Sequence, residues 1–323
     1  MNSVLNQSIC IITVQFGKLP SCVELWIESC KWNPNISFLV YSDISITGLP
    51  KNIRWITGSM PSFKDLAETK LGMSVCLSSP YDCCDLKTVY GIIFEDYIQD
   101  YDYWGYCDMD MLFGDLTLFF NKYNLGLYDK FHNRGHLSLM RNTDENNNRY
   151  KLPCVSGRNY SDAFTTPGTM HFDELVINQI YNSYGFPFFD TRICADIAPE
   201  YHRMRLSIRA TENVSNYKNQ VFYWQNGKVW RAYFKKTSTW RSVVVEEFAY
   251  IHFQKRNMNI GDGVLDSLNG FYICSDGFIN KTEIGYPKLS TIKKLNPYHC
   301  GVDDFRDTIK IQLKRLSKKL SFK

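Results

Sequence analysis

The stretch Ile9-Cys-Ile-Ile-Thr-Val-Gln-Phe16-Gly17 is a nearly continuous apolar run that stops at a glycine. Such a run predicts a strand that is buried on both faces. Leu19 to Cys30 then has apolar residues at helical spacing, and Ile36-Ser-Phe-Leu-Val-Tyr41 predicts a second buried strand. A strand, a helix and another buried strand in succession are typical of an α/β protein. We therefore expect a Rossmann-like, mostly parallel central sheet flanked by helices.

The carboxyl ends of these strands define the expected binding edge, because ligands of open parallel sheets bind beyond them. The first strand ends near Gly17, and the second runs into Ser42-Asp43. The residues predicted to contact a bound nucleotide at this edge are Thr13, Phe16, Gly17, Ser42 and Asp43.

A second informative stretch is Tyr103-Trp-Gly-Tyr-Cys-Asp108-Met-Asp110-Met-Leu-Phe-Gly. In an extended segment residues i and i+2 lie on one face, so both carboxylates can reach one hard divalent cation. Mg²⁺ or Mn²⁺ held in this way would suit a bound diphosphate. Taken alone, Asp-x-Asp is also typical of a solvated turn, so the neighbouring residues decide between the two interpretations.

Two more segments bring basic residues to the same chemistry. Asp85 to Phe94 predicts a helix that carries Lys87 and Tyr90 towards the acidic strand, and the apolar run from Glu246 ends with His252 and Lys255. An imidazole can complete a metal shell, and lysines can hold a diphosphate. The alternative for His252 is a core histidine whose ring is satisfied by the backbone.

Between these segments lie two candidate catalytic acids and a long polar loop. Phe172 to Ile180 predicts a helix with Asp173 and Glu174 in its first turn, where the helix dipole alone accounts for two acids and catalysis is the competing explanation. Residues 141–169 are polar without an apolar period, which is typical of a functional or disordered loop. Asn124 to Tyr128 predicts a short strand.

Composition limits the function further. The 323 residues suffice for one elaborated domain or a catalytic domain with a smaller C-terminal part, and a net charge of +4 does not indicate general nucleic-acid binding. Eleven scattered cysteines without a CxxC pair predict reduced thiols and no structural zinc. No targeting or membrane-spanning segment is visible, so we expect a cytoplasmic protein.

The C-terminal part has two further patterns. Alternating residues on both sides of Asn226-Gly227 predict a β-hairpin over Val221 to Phe234. At the end of the chain, four apolar residues recur at helical spacing: Ile309, Leu313, Leu316 and Leu320. Lysines and an arginine lie between them. This basic amphipathic helix suits either an anionic membrane surface or docking onto the domain.

With these segments in view, the chain resembles glycosyltransferases of the GT-A fold, and more narrowly the DUF6625 family of bacterial polysaccharide-type glycosyltransferases. The matching segments are Ile9 to Gly17, Phe38 to Asp43, Cys84 to Tyr97, Trp104 to Leu116 and Tyr250 to Arg256. The resemblance implies metal-dependent transfer of a sugar from a nucleotide diphosphate donor, a UDP-sugar, to a cell-surface glycan such as capsular polysaccharide or O-antigen.

The resemblance also implies roles for single residues. Asp108 and Asp110 would hold Mn²⁺ or Mg²⁺, His252 would complete the shell, and Lys255 would contact the diphosphate. The spacing His-Phe-Gln-Lys departs from the longer glycine-containing form of the retaining families. Inverting relatives have a carboxylate base at a helix start beyond the acidic pair, a position that Asp173 or Glu174 fits, whereas retaining relatives need none.

The organisation that follows is a catalytic domain over residues 1–256, with a donor half to about residue 115 and an acceptor half from 116, and an extension over 257–323. Two alternatives stay open. A carbohydrate-binding module would use the many aromatics, and a haloacid-dehalogenase-type phosphotransferase also has Asp-x-Asp, although usually on its first strand.

Overall fold

The structure is a computed structural model that describes residues 5–209, 212–236, 241–254, 256–267, 270–296 and Ile309. The strands in this part of the chain are β1 Ile9–Gln15, β2 Ile36–Ser42, β3 Ile53–Thr57, β4 Tyr103–Cys107, β5 Met111–Phe113, β6 Lys130–Arg134, β7 Leu137–Arg141, β8 Phe188–Phe189, β9 Cys194–Asp196, β10 Gln220–Gln225, β11 Lys228–Lys236, β12 Arg241–Phe248, β13 Tyr250–His252, β14 Asn259–Ile260, β15 Phe271–Cys274 and β16 Gly277–Asn280. The α-helices are α1 Val23–Lys31, α2 Met60–Leu71, α3 Cys83–Leu86, α4 Tyr90–Ile93, α5 Glu95–Ile98, α6 Leu116–Lys122, α7 Asp144–Asn147, α8 Tyr160–Thr165, α9 Ile177–Ser183 and α10 Leu289–Leu295.

The chain divides into two compact units, which are described separately. Of the described residues, the first comprises those up to Leu19, Ile27–Met109 and Leu116–Arg192. The second comprises Pro20–Trp26, Asp110–Asp115 and the described residues from Ile193 onward. The chain therefore passes from the first unit to the second inside the Asp108-Met109-Asp110 stretch.

The first unit is built on a seven-stranded sheet in the order β3-β2-β1-β4-β7-β6-β8. Strands β3, β2, β1 and β4 are parallel, whereas β7 pairs with both β4 and β6 in the antiparallel sense. The first five residues of β1 are buried, as expected for a strand covered on both faces. The predicted α/β fold with a mostly parallel central sheet is confirmed.

Aromatic side chains fill much of the core of this unit. Phe63 is fully buried and lies 5.8 Å from Phe16, 5.5 Å from Tyr41 and 6.0 Å from Phe94, measured between ring centroids. Tyr90 packs edge-on against Phe94 at 5.6 Å. The high aromatic content of the chain thus serves core packing in this unit.

Two predicted elements differ in detail. Asn124 to Tyr128 is not a strand, because Asn124 is left-handed (φ 53°) and starts a 3₁₀ turn at Leu125–Leu127, and the strand β6 begins later. The predicted helix Asp85 to Phe94 is divided into α3, a 3₁₀ turn at Lys87–Val89 and α4.

The polar segment 141–169 is more regular than its sequence indicates. It contains α7, a 3₁₀ turn at Arg149–Lys151, and α8. Thr143 and Asn159 cap the two helices, since their side chains accept hydrogen bonds from the backbone N–H groups of Asn146 and Asp162. Helices of one turn have no room for an apolar period, so the sequence pattern did not reveal them.

The second unit contains a six-stranded sheet in the order β12-β11-β10-β15-β16-β14 and a three-stranded sheet in the order β5-β13-β9. Asn226 and Gly227 join β10 to β11 with φ values of 52° and 71°, and positive φ at both positions is what this tight turn requires. The hairpin prediction is confirmed.

The C-terminal amphipathic pattern lies outside the described residues apart from Ile309, so its helix stays a prediction. Within the described ranges, none of the helices combines the length and the apolar character needed to cross a bilayer. The division at residue 256 also stays a prediction.

Gly105 provides a test of the packing on which the first sheet depends. A Cβ at this position would lie 2.4 Å from the Leu139 Cδ2 atom and 2.5 Å from the Ser138 carbonyl oxygen. Gly105→Ala should therefore lower the free energy of unfolding by about 1–3 kcal/mol, because a backbone atom blocks the added methyl group. Urea unfolding measures the change.

The matched control is Gly126→Ala, whose Cβ would meet only the Gln7 side chain, with its Nε2 atom at 2.8 Å. A flexible side chain can move, so this variant should stay within about 0.5 kcal/mol of the wild type. Equal stability of the two variants would contradict the packing described for β4 and β7.

Candidate functional site

The end of β4 is fixed by the strand β1 and by the turn before β7. The Thr13 hydroxyl of β1 donates to the carbonyl oxygen of Cys107 at 3.0 Å, and the backbone N–H of Asp108 donates to the carbonyl oxygen of His136 at 3.0 Å. Thr13 is buried by this contact. The carboxylate of Asp108 therefore leaves the carboxyl end of the sheet from a fixed backbone.

Lys87 holds this carboxylate. Its Nζ atom donates to Asp108 Oδ1 at 2.6 Å and to the Gly135 carbonyl oxygen at 2.9 Å, and it lies 3.6 Å from Asp173 Oδ2. Burial alone would lower the pKa of the Lys87 ammonium, but Asp108 and Asp173 outweigh it and hold that pKa well above its usual value. Lys87 is thus a buried, charged group shared by two carboxylates.

Asp173 is the buried partner in this cluster. Burial, as the largest effect, raises the pKa of its carboxyl group; Lys87 opposes this, and Asp108 and Asp85 add to it, which brings the pKa to about 7. The Tyr106 hydroxyl donates to the Asp173 carbonyl oxygen at 2.8 Å. The adjacent Glu174 is half-buried. Of the two predicted acids, the structure brings Asp173 to Lys87.

In the second unit the three-stranded sheet aligns three polar residues. β13 pairs with β5 in the antiparallel sense, with His252 opposite Met111, and with β9 in the parallel sense, with His252 opposite Asp196. The Phe253 N–H donates to the Asp110 carbonyl oxygen at 2.8 Å. Asp110, His252 and Asp196 thus come together at one edge of this sheet.

Both ring nitrogens of His252 face carboxylates. Nδ1 lies 2.9 Å from Asp196 Oδ1, and Nε2 lies 3.3 Å from Asp110 Oδ1, while the residue is only 7% exposed. Burial lowers the pKa of the imidazole, but Asp110 and Asp196 outweigh it and raise the pKa to about 10. A backbone-satisfied core histidine, the alternative considered above, does not describe this arrangement.

The other predicted residues lie at the ends of β1 and β2, in the aromatic core, or outside the described residues. The Gly17 N–H donates to the Asp43 carboxylate at 2.9 Å, so the ends of β1 and β2 do lie together. Ser42 is buried, and its hydroxyl accepts from the Ile44 N–H at 3.2 Å. Phe16 and Tyr90 are buried in the aromatic core described above, and their predicted contact with a nucleotide stays a prediction. Lys255 lies outside the described residues.

Three residues of these clusters were not predicted from the sequence: Asp85, Gly135 and Asp196. Asp196 ends a three-residue strand 56 positions before His252, and the apolar run around it was the only available signal. Gly135 is required by space, since a Cβ there would lie 2.7 Å from Asp173 Oδ2. Asp85 is fully buried, whereas in the sequence it looks like one of several acids near a helix start.

The fold and the side chains define an α/β protein with two clusters in which carboxylates are paired with a basic group. The profile of a family of unknown function, DUF6625, matches residues 11–282. Because this match covers most of the chain, the protein belongs to the DUF6625 family. No curated protein matches the sequence.

Two solved structures are similar to parts of the chain. The galactosyltransferase LgtC, in complex with donor and acceptor sugar analogs, is 17% identical with a TM-score of 0.36, and the match covers 59% of this chain and 76% of that one. Mouse xyloside xylosyltransferase 1 in its apo form is 9% identical with a TM-score of 0.35, and the match covers 59% of this chain and 88% of that one.

The raised pKa of Asp173 has a measurable consequence for stability. In the folded state the pKa of the Asp173 carboxyl is about 7, against a usual value of 3.8. The protonated Asp173 therefore contributes to stability fully below about pH 4, and this contribution is lost as the pH rises through 7. Asp173→Asn should therefore gain stability relative to the wild type as the pH rises from 4 to 8, by at most about 4 kcal/mol. Urea unfolding at each pH in EDTA measures the gain.

Asp100→Asn is the control, because Asp100 is exposed and such changes stay within about 0.5 kcal/mol. If the relative stability of Asp173→Asn fell as the pH rose, Asp173 would ionise readily in the fold and the burial argument would be wrong.

Proposed function

We propose that this protein is a metal-dependent glycosyltransferase of the GT-A type, which moves a sugar from a nucleotide diphosphate donor, a UDP-sugar, to a cell-surface glycan such as capsular polysaccharide or lipopolysaccharide O-antigen. The observation that carries the proposal is the pair Asp108 and Asp110. The two carboxylates are one residue apart in sequence, and each is paired with a basic side chain, Lys87 at 2.6 Å and His252 at 3.3 Å. Acids in a solvated turn would face water and would not each be paired with a buried basic side chain.

The donor set suits Mn²⁺ or Mg²⁺. Neighbouring ligands of an octahedral ion with bonds of about 2.1 Å lie about 3 Å apart, close to the 3.3 Å between Asp110 Oδ1 and His252 Nε2. A metal ion would have to displace the proton on Nε2 of His252, while the Asp196 carboxylate keeps the proton on Nδ1, so Nε2 would be the ligand atom. We propose Asp108, Asp110 and His252 as the metal ligands.

When bound, the metal ion would neutralise the charge that builds up on the leaving diphosphate. The protein's own residues supply the rest. Lys87 is charged and already fixed in place, so it costs no reorganisation when negative charge develops near Asp108. Lys255 remains a proposed second contact to the diphosphate. Gly17, Ser42 and Asp43, at the ends of the first strands, are the proposed nucleotide contacts.

Asp173 is the proposed base for the acceptor hydroxyl. A general base works best when its pKa lies near the operating pH, and the pKa of about 7 meets that condition. Glu174, half-buried beside it, is the second candidate. An inverting reaction would use the base in this way, whereas in a retaining reaction the same carboxylate would contact the donor sugar instead.

Two further segments of the chain are proposed to serve the acceptor. The polar segment 141–169 is proposed to contribute to the acceptor site, within a catalytic domain over residues 1–256. The basic C-terminal helix of the extension would hold the enzyme near a lipid-linked acceptor on the cytoplasmic membrane surface, by attraction of its lysines to anionic lipids.

Asp110→Ala tests the metal assignment. Removal of one ligand and of the partner of His252 should lower Mn²⁺-dependent hydrolysis of UDP-sugars by about 100-fold or more. UDP release from UDP-glucose, UDP-galactose and UDP-N-acetylglucosamine, with Mn²⁺ and with EDTA, measures the rate.

Asp115→Ala is the matched control, because Asp115 lies on the same stretch but its carboxylate faces Lys228 at 3.9 Å. It should keep the wild-type rate. Asp196→Asn should weaken Mn²⁺ binding by about 10- to 100-fold through the tautomer and orientation of His252. Full activity of Asp110→Ala would rule out the proposed metal site.

A further inference from the structure

One buried carboxylate outside the proposed metal and nucleotide contacts binds the chain next to Asp173. Asp85 is 1% exposed, and its Oδ1 atom accepts from the Thr169 hydroxyl at 3.0 Å and from the Phe172 N–H at 2.7 Å. Its Oδ2 atom accepts from the Met170 N–H at 2.6 Å. These three bonds join segments that are more than eighty residues apart in sequence, and hydrogen bonds to a carboxylate are among the stronger ones.

The two backbone groups that Asp85 binds stand on either side of His171. This residue is exposed and left-handed, with φ 56° and ψ 41°, a conformation that costs free energy in any residue with a Cβ. Strained residues persist only where the surrounding structure fixes them. The Asp85 carboxylate does this by holding the N–H before His171 and the N–H after it.

The strained residue leads directly into Asp173. A π-helical turn, Phe172–Val176, begins immediately after His171, and the Asp173 carbonyl oxygen accepts from the Tyr106 hydroxyl at 2.8 Å. π-helical turns are rare and are frequent at functional sites. The peptide of Asp173 is thus held by Asp85 on one side and by β4 on the other.

The same short segment of chain also carries Lys87. Asp85 lies in the first turn of α3, and Lys87 follows two residues later, with its Nζ atom 3.6 Å from Asp173 Oδ2. A change at Asp85 would therefore shift the backbone of Asp173 relative to the cation that faces it. Lys87 keeps its direct bond to Asp108 in that case.

We propose that Asp85 is a positioning residue that fixes the proposed base Asp173 against Lys87, and thereby sets the rate of transfer without contacting donor or acceptor. This inference rests on the function proposed above. It assigns to Asp85 a role that neither the acidic pair nor the helix pattern predicted.

Asp85→Asn is the sharpest variant, since it keeps the size of the side chain. An amide has one acceptor oxygen, so its NH₂ group must face an N–H donor at Met170 or at Phe172. We expect kcat for UDP-sugar turnover to fall about 10- to 100-fold, the effect of a misplaced catalytic group. KM for the UDP-sugar and the Mn²⁺ affinity should stay within about twofold, because the proposed metal and nucleotide contacts are unchanged.

Asp82→Asn is the matched control from the same helical segment. Asp82 accepts from the N–H groups of Ser78 and Ser79 and, at 3.1 Å, from the Gly168 N–H, but it binds no residue from Met170 to Asp173. It should keep kcat within about threefold while the local cap weakens. Adding His171→Gly to Asp85→Asn should restore part of kcat, because glycine adopts the left-handed conformation without cost.

Amide hydrogen exchange over residues 168–173 gives a readout that does not depend on activity. Asp85→Asn should speed exchange there, and Thr169→Val, which removes one of the three bonds, should do so less and lower kcat less. Thr169→Val also serves where Asp85→Asn does not fold. Wild-type kcat in Asp85→Asn, or equal losses in Asp82→Asn, would overturn the positioning role, as would unchanged exchange. Faster exchange in a protein whose wild type turns over no UDP-sugar would instead contradict the proposed function and leave the contact intact.

Discussion

The ion pair between Lys87 and the carboxylates of Asp108 and Asp173 is the interaction on which the proposed site depends. An ammonium group buried among apolar neighbours is costly unless it is paired, and removal of one partner from such a cluster leaves an uncompensated charge. Here the Lys87 ammonium donates to Asp108 Oδ1 at 2.6 Å and to the Gly135 carbonyl oxygen at 2.9 Å, and it lies 3.6 Å from Asp173 Oδ2. One group therefore fixes the first carboxylate of the acidic pair and tunes the proposed base.

The cluster in the second unit follows the same physical rule. His252 is a buried imidazole between Asp110 and Asp196, and the two carboxylates hold the pKa of its ring near 10. In both clusters the burial penalty on a basic group is outweighed by two acids. The three residues Asp108 to Asp110 supply one acid to each cluster. This is why two acids lie one residue apart in the sequence.

Much of the first sheet could be predicted, because buried parallel strands have continuous apolar sequences. Ile9 to Phe16 and Ile36 to Tyr41 became β1 and β2 within a residue or two, and Asn226-Gly227 gave the hairpin. The short elements were harder. The one-turn helices of segment 141–169 depend on the caps Thr143 and Asn159, and the strand expected at Asn124 was replaced by a turn that a left-handed residue begins.

The candidate site was predictable only as far as its chemistry is local. Asp108 and Asp110 stand out in one short stretch, whereas Asp85 and Asp196 owe their positions to pairings over more than fifty residues. Nothing in the sequence near Asp85 distinguishes a buried acceptor of three hydrogen bonds from an exposed acid in the first turn of a helix. Tertiary structure decides this difference, through burial and through the N–H groups that face the carboxylate.

In the proposed site the acidic pair holds a metal ion, which in turn holds a nucleotide diphosphate. Isothermal titration calorimetry of the full-length protein with UDP, in Mn²⁺ and in EDTA, tests it most directly. UDP should bind in Mn²⁺, and this binding should be lost in EDTA. UDP binding of equal strength in both, or binding of glycans with no UDP binding at all, would rule out a metal-held diphosphate.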